Sequence, residues 1–167
     1  RTRVLLGVLL AGMLFLTGCS HLSVRHLERR PWRLSASDAL TMQFWRFTYE
    51  VVPMRDAFGV RGKAYPVPGA LPAWANHIDE IWLAAYLNDG QGRVLAKDLV
   101  VLLPRPLNPA EGIDFEFVLT PEDVGQAGAL FITFGYRMVL SETTPGPNSP
   151  GGKPRVFFAN EGALTRY

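Results

Sequence analysis

Few residues in this chain are of a type and spacing that could do chemistry. Among 167 residues there is one cysteine, Cys19. A lone thiol can be half of a disulfide, a metal ligand, a nucleophile or a point of attachment. An internal disulfide needs a second thiol, and a zinc or iron–sulfur site needs several sulfur or imidazole ligands at short spacing, so both fail on count. His77, close to Asp79 and Glu80, invites a metal reading, and on a strand residues 77 and 79 share a face. Two ligands without a third carry little specificity, and a histidine at the end of a loop is the simpler account. Asn88-Asp89-Gly90-Gln91-Gly92 superficially resembles a calcium loop but lacks its acidic positions and its closing glutamate. Asp114 and Glu116 have the look of a hydrolase pair, although alternation with apolar neighbours explains them as the wet face of a strand. No Gly-x-Ser-x-Gly elbow, phosphate-binding loop or His-Glu-x-x-His motif occurs. The expectation is a protein that is not an enzyme, with no catalytic, metal or cofactor-binding residues.

The surroundings of Cys19 give its thiol a different use. Arg1 and Arg3 precede VLLGVLLAGMLFL, a charged region followed by an apolar run too short to span a bilayer comfortably, which is the form of a secretory signal peptide. The absence of an initiator Met implies that the sequence starts slightly inside the true beginning. Leu16-Thr17-Gly18-Cys19 resembles the lipobox of bacterial lipoproteins, with an apolar residue three places before the cysteine and small residues between. The resemblance implies cleavage after Gly18, a diacylglycerol on the Cys19 sulfur and an acyl chain on its freed amine. One chain alone anchors only marginally, so several make a stable anchor. An ordinary leader with an incidental cysteine is the bland alternative. In that family Ser20, in place of an Asp, is permissive for transfer to the outer membrane, facing the periplasm. With Arg1 and Arg3 removed, 15 of the 17 basic residues remain against 15 acidic ones, so a nucleic-acid partner is not supported.

Organisation follows from composition. Residues 1–18 read as leader and 19–37 as the lipidated cysteine and a tether, because the apolar residues of HLSVRHLERRPWRLSAS follow neither helical nor strand period. Its arginines could meet anionic headgroups, but a solvated spacer is the plainer expectation. Residues 38–142 read as the folded domain, and 143–167 as a Pro/Gly-rich loop followed by one last strand or an ordered tail.

Within the domain, LTMQFWRFTYEVV alternates through Leu40, Met42 and Phe44, then changes parity through Phe47, Tyr49 and Val51. A strand with a bulge near Trp45-Arg46 accounts for this, and aromatic and β-branched content favours strand over helix. AFGVRGKAY, bounded by Pro53 and Pro66, suits an edge strand. IDEIWLAAYL and RVLAKDLVVLL, joined by Asn88 to Gly92, form a hairpin. GIDFEFVLT alternates cleanly, Thr120-Pro121-Glu122-Asp123 signals a helical turn, and ALFITFGYRMVL is a further strand. About seven strands and no long helix suit an all-β, immunoglobulin-like antiparallel sandwich. VRGKAY, IWLAAYLNDGQGRVLAKDLV and LNPAEGIDFEF also resemble, over about half the chain, the FxLYD type of immunoglobulin-like envelope module. That resemblance implies no catalytic residues.

The function expected is that of a membrane-anchored envelope lipoprotein whose sandwich docks on another envelope protein. The contact candidates are Val60 and Tyr65 on the edge strand, with Phe157, Phe158 and Tyr167 near the end. The runner-up is a periplasmic binder of a lipid or other apolar ligand, held in a cavity between Trp45, Trp74 and Trp82.

Overall fold

Alternation of apolar and polar residues decides the architecture. A computed structural model describes residues 20–122, 124–144 and 147–167, and these form an all-β antiparallel sandwich. In chain order the described strands are β1 (His21–Ser23), β2 (Arg30–Pro31), β3 (Ser37–Thr41), β4 (Trp45–Pro53), β5 (Phe58–Pro66) and β6 (His77–Asp89). They continue as β7 (Val94–Leu102), β8 (Arg105–Pro106), β9 (Ile113–Leu119), β10 (Leu130–Ser141), β11 (Val156–Glu161) and β12 (Leu164–Arg166). One sheet has the order β3-β4-β5-β9. The other has the order β11-β10-β6-β7, with β2 added on β10 and β8 on β6, and β1 and β12 make a separate ribbon.

The core lies between the two sheets. Trp45, Phe47, Tyr49 and Val51 of β4 and Ile113, Phe115, Phe117 and Leu119 of β9 face Ile132, Phe134, Tyr136, Met138 and Leu140 of β10, and all are buried. Phe47 and Phe134 stack across the gap with centroids 4.4 Å apart. The Trp45 indole N–H donates to the Met138 sulfur at 3.1 Å, which satisfies a polar atom that burial would otherwise penalise. Burying each such side chain contributes about 1.5–3 kcal/mol. Along one side of the sandwich, Asp98 of the edge strand β7 reaches across to accept the Val118 N–H of β9 at 2.8 Å.

Four expectations need correction. The parity change after Leu40 is a hairpin, not a bulge: Met42, Gln43 and Phe44 connect β3 to β4, closed by the Met42 N–H on the Trp45 carbonyl at 2.8 Å. Strand β5 is not an edge, since it pairs with β4 on one side and β9 on the other. Pro53 and Pro66 occupy strand ends, where a missing N–H costs little, so they do not mark an edge. Residues 21–37 are not a free tether. β1 pairs with β12 and β2 with β10, Val24 and Leu27 are buried, Trp32 meets Phe58 edge-on at 5.3 Å, and the Thr133 hydroxyl donates to the Glu28 carbonyl. The helical turn after Thr120 does not form among the described residues. A turn closes instead from the Ala127 N–H to the Val124 carbonyl, and Asp123 lies outside the described residues. RVFFAN supplies most of β11, so the last segment is strand rather than loose tail.

Gly62 tests the packing of the β4–β5 pair. A Cβ there would stand 1.9 Å from the Thr48 carbonyl oxygen, which is backbone and cannot swing aside. Gly62→Ala is therefore expected to destabilise the domain by about 3 kcal/mol, at the upper end of overpacking costs. Chemical denaturation of the variant measures this, and Gly59→Ala, whose Cβ would meet nothing closer than 3.6 Å, serves as the mild comparison.

Candidate functional site

The start of β6 and the end of β10 meet at Ser141↔His77, and polar side chains collect there. The Asp79 Oδ1 atom accepts from the Ser141 hydroxyl at 2.7 Å and lies 2.7 Å from His77 Nδ1. Serine, histidine and aspartate are thus together, but both contacts end on the carboxylate. Among the described residues the Ser141 hydroxyl bonds to the Asp79 carboxylate and not to the His77 imidazole, so the serine–histidine contact of a nucleophilic triad is not made. Burial on its own would raise the Asp79 carboxyl; the hydrogen bonds from Ser141 and His77 outweigh it and hold the group below its ordinary 3.8. Glu80 turns away to Arg137 at 3.3 Å, and no group of three or more His, Cys, Asp or Glu able to hold a metal is found among the described residues.

Next to this cluster the chain fastens its own loop. Glu142 is only 3% exposed. It receives the Arg155 guanidinium and the Ser149 hydroxyl, while Arg155 lies over the Trp74 ring at 5.0 Å. The Asn76 side-chain oxygen accepts the Thr143 N–H at 2.9 Å. A buried carboxylate is tolerated when it is paired and hydrogen-bonded, and here the pairing closes the long 142–155 excursion. The arrangement is a clamp.

The other expected residues are dispersed. Val60 is fully buried on an interior strand, and the Tyr65 ring packs against Gly112, where a Cβ would come within 2.7 Å of it. Neither belongs to an open edge, which corrects their assignment as edge contacts. Phe157 is half-buried and meets Phe44 edge-on at 5.4 Å. Phe158 is 57% exposed, with the Arg137 guanidinium 5.5 Å from its ring. Tyr167 is 95% exposed. Trp45, Trp74 and Trp82 share no cavity: Trp45 is core at the floor of a groove beside Ile78 and Leu107, Trp74 is under Arg155, and Trp82 stands opposite Val101 on the outer face. Asp114 pairs with Lys63 at 2.9 Å rather than with Glu116. Asp89 Oδ1 accepts the N–H groups of Gln91 and Arg93, each at 2.9 Å, as a turn requires. Cys19 and the leader lie outside the described residues.

Two features went unread. Leu99, Val101 and Leu103 form an exposed apolar row on and just past β7. Its signal was the unbroken run Leu99 to Leu103, where an edge strand with one wet face should alternate. Glu161 was the other. Its Oε2 atom accepts the Tyr136 hydroxyl at 2.6 Å and the Gln43 N–H at 3.1 Å, tying β11 to β10 and to the β3–β4 turn. Burial, and then the bond to Glu161, push the Tyr136 hydroxyl far above its ordinary range.

Compared with protein-family models, curated proteins and solved structures, the chain matches none.

The Asp79 contacts are measurable. Ser141→Ala removes one of the bonds that stabilise the carboxylate, so Asp79 is expected to titrate at higher pH in the variant, followed through its side-chain carboxyl carbon signal by NMR. A depressed carboxylate contributes stability that is present above its unfolded pKa and lost as pH falls through its folded value. The stability gap between wild type and Ser141→Ala should therefore narrow below pH 3.8.

Proposed function

We propose that the protein is a membrane-anchored envelope lipoprotein whose sandwich is a non-catalytic docking module for another envelope protein. The observation that carries this reading is the outer edge of β11. β11 ends its sheet in the order β11-β10-β6-β7, so one side of its backbone is open to strand addition, and Val156 and Phe158 stand exposed on it. Exposed edges with aromatic anchors suit partner strands and peptides. The polar cluster at His77 lends no support to an enzyme, because the bonds from Ser141 and His77 both end on Asp79.

Further support comes from order and anchor. β6, β7, β10 and β11 in one sheet, with β5 beside β9 in the other, supports reading the sandwich as an immunoglobulin-like module of the kind the FxLYD-type resemblance implies. Leu16-Thr17-Gly18-Cys19 supports lipidation at Cys19, and Ser20 supports an outer-membrane position facing the periplasm.

Site-specific photocrosslinking in intact cells tests the docking surface. A photoreactive residue at position 156 is expected to give a discrete heavier adduct with one envelope protein, and Phe158→Asp in the same chain should abolish it. Recovery of monomer alone from positions 156, 158 and 160 would refute the reading.

A further inference from the structure

We infer that the outer face of β7 rests on the lipid surface to which Cys19 is attached, so that the domain lies on the membrane instead of hanging from it. This inference depends on the reading of Cys19 as the acylated residue. It begins with chain length. β1 starts at His21, and the two residues from Cys19 to His21 span at most about 7 Å when fully extended. β1 is not free to move away, because it is paired with β12 through His21↔Arg166 and bridged to the sandwich through Ser23↔Arg93. The anchor is therefore held against the domain wherever β1 points.

The direction of β1 follows from register. The Ser23↔Arg93 bridge is antiparallel, so tracing β1 backward from Ser23 to His21 leads along β7 with rising residue number, from Arg93 toward Lys97 and Leu99. β12 is antiparallel to β1 and runs the same way, which carries Tyr167 to the same end. That is where the exposed apolar row lies: Val101 is 69% and Leu103 79% exposed, with Leu99 beside them. A contiguous apolar row left open on a folded domain normally marks a surface that something covers. Here the covering surface has to lie close to where the acyl chains leave.

The side chains around the row match an interface between lipid and water. Lys97 shares the outward face of β7 with Leu99 and Val101, and Arg166 follows on β12; both are exposed, and neither makes an ion pair among the described residues. Basic groups near a lipid surface are drawn to anionic headgroups, and tyrosine favours the headgroup level, with its ring in apolar surroundings and its hydroxyl in water. Leucine and valine supply the part that enters the acyl boundary. The β11 edge lies at the opposite side of the same sheet, which leaves it accessible to a protein partner while β7 faces the bilayer.

Lipidation masks the thiol of Cys19, so Val101→Cys gives the full-length lipidated protein a single free thiol for an environment-sensitive fluorophore. The protein is reconstituted into vesicles of phosphatidylethanolamine and phosphatidylglycerol, with Glu116→Cys on the far sheet as comparison. Expected are a blue-shifted emission and several-fold weaker quenching by aqueous iodide at position 101 than at 116, together with quenching at 101 by lipids brominated in the acyl chain. Vesicles that float with the protein while positions 101 and 116 are equally open to iodide would overturn the inference and leave the anchor intact. Failure of the wild-type protein to float would instead refute the anchor reading beneath it. Equal protection of position 101 in Cys19→Ala protein without vesicles would assign the row to a second copy of the chain and also overturn the inference.

Discussion

Phe134 is the point at which the two sheets are joined. It stacks on Phe47 at 4.4 Å, meets Tyr49 edge-on at 5.0 Å and reaches Phe115 at 5.6 Å, so residues of β4 and β9 converge on one ring of β10 across the sandwich. Aromatic pairs of this kind gain from specific geometry as well as from buried area. The neighbouring Gly135 faces the other way, and its lack of a side chain is equally constraining: a Cβ there would be 2.9 Å from the Tyr86 ring and 3.0 Å from the Glu161 carbonyl oxygen. One residue of β10 thus closes the core while the next admits the strap that crosses the outer face. Glu161, where β11 gives way to residues 162–166, is the part of the chain that uses that opening.

The elements that could be read in advance are those whose own residues determine them. The β6–β7 hairpin needs Asn, Asp and Gly in its turn, and Gly92 takes a φ of 78° there, a conformation few other residues adopt easily. The strict alternation of GIDFEFVLT likewise reports its faces directly, since Ile113, Phe115, Phe117 and Leu119 are buried and Asp114 and Glu116 exposed. The turn at Met42-Gln43-Phe44 carries no such residue. It is fixed by tertiary contacts, with Met42 buried, Gln43 bonded to Glu161 and Phe44 against Phe157. A local pattern could not show it.

The tether failed for a related reason. Val24, Leu27 and Trp32 obey no period because each is used on a different part of the sandwich, as happens in a strap that does not belong to a sheet face. Buried polar groups were equally opaque. Glu142 resembles any loop glutamate until Arg155, thirteen residues on, is brought onto it. Among the residues proposed for contact, Phe158 and Tyr167 are at the surface. Val60 was misplaced by the prolines around its strand, which mark ends and say nothing about neighbours.

The reach of Asp98 across to the Val118 N–H has a consequence for assembly. β7 and β9 are the last strands of their respective sheets on that side, and a carboxylate lodged between them occupies a backbone donor that an incoming strand would need. The sandwich therefore has one sutured margin and, at β11, one that is still open. A module built this way can accept a foreign strand but has no equivalent free margin opposite with which to pass the sheet along. Strand addition at β11 would therefore end a β-sheet assembly instead of propagating one.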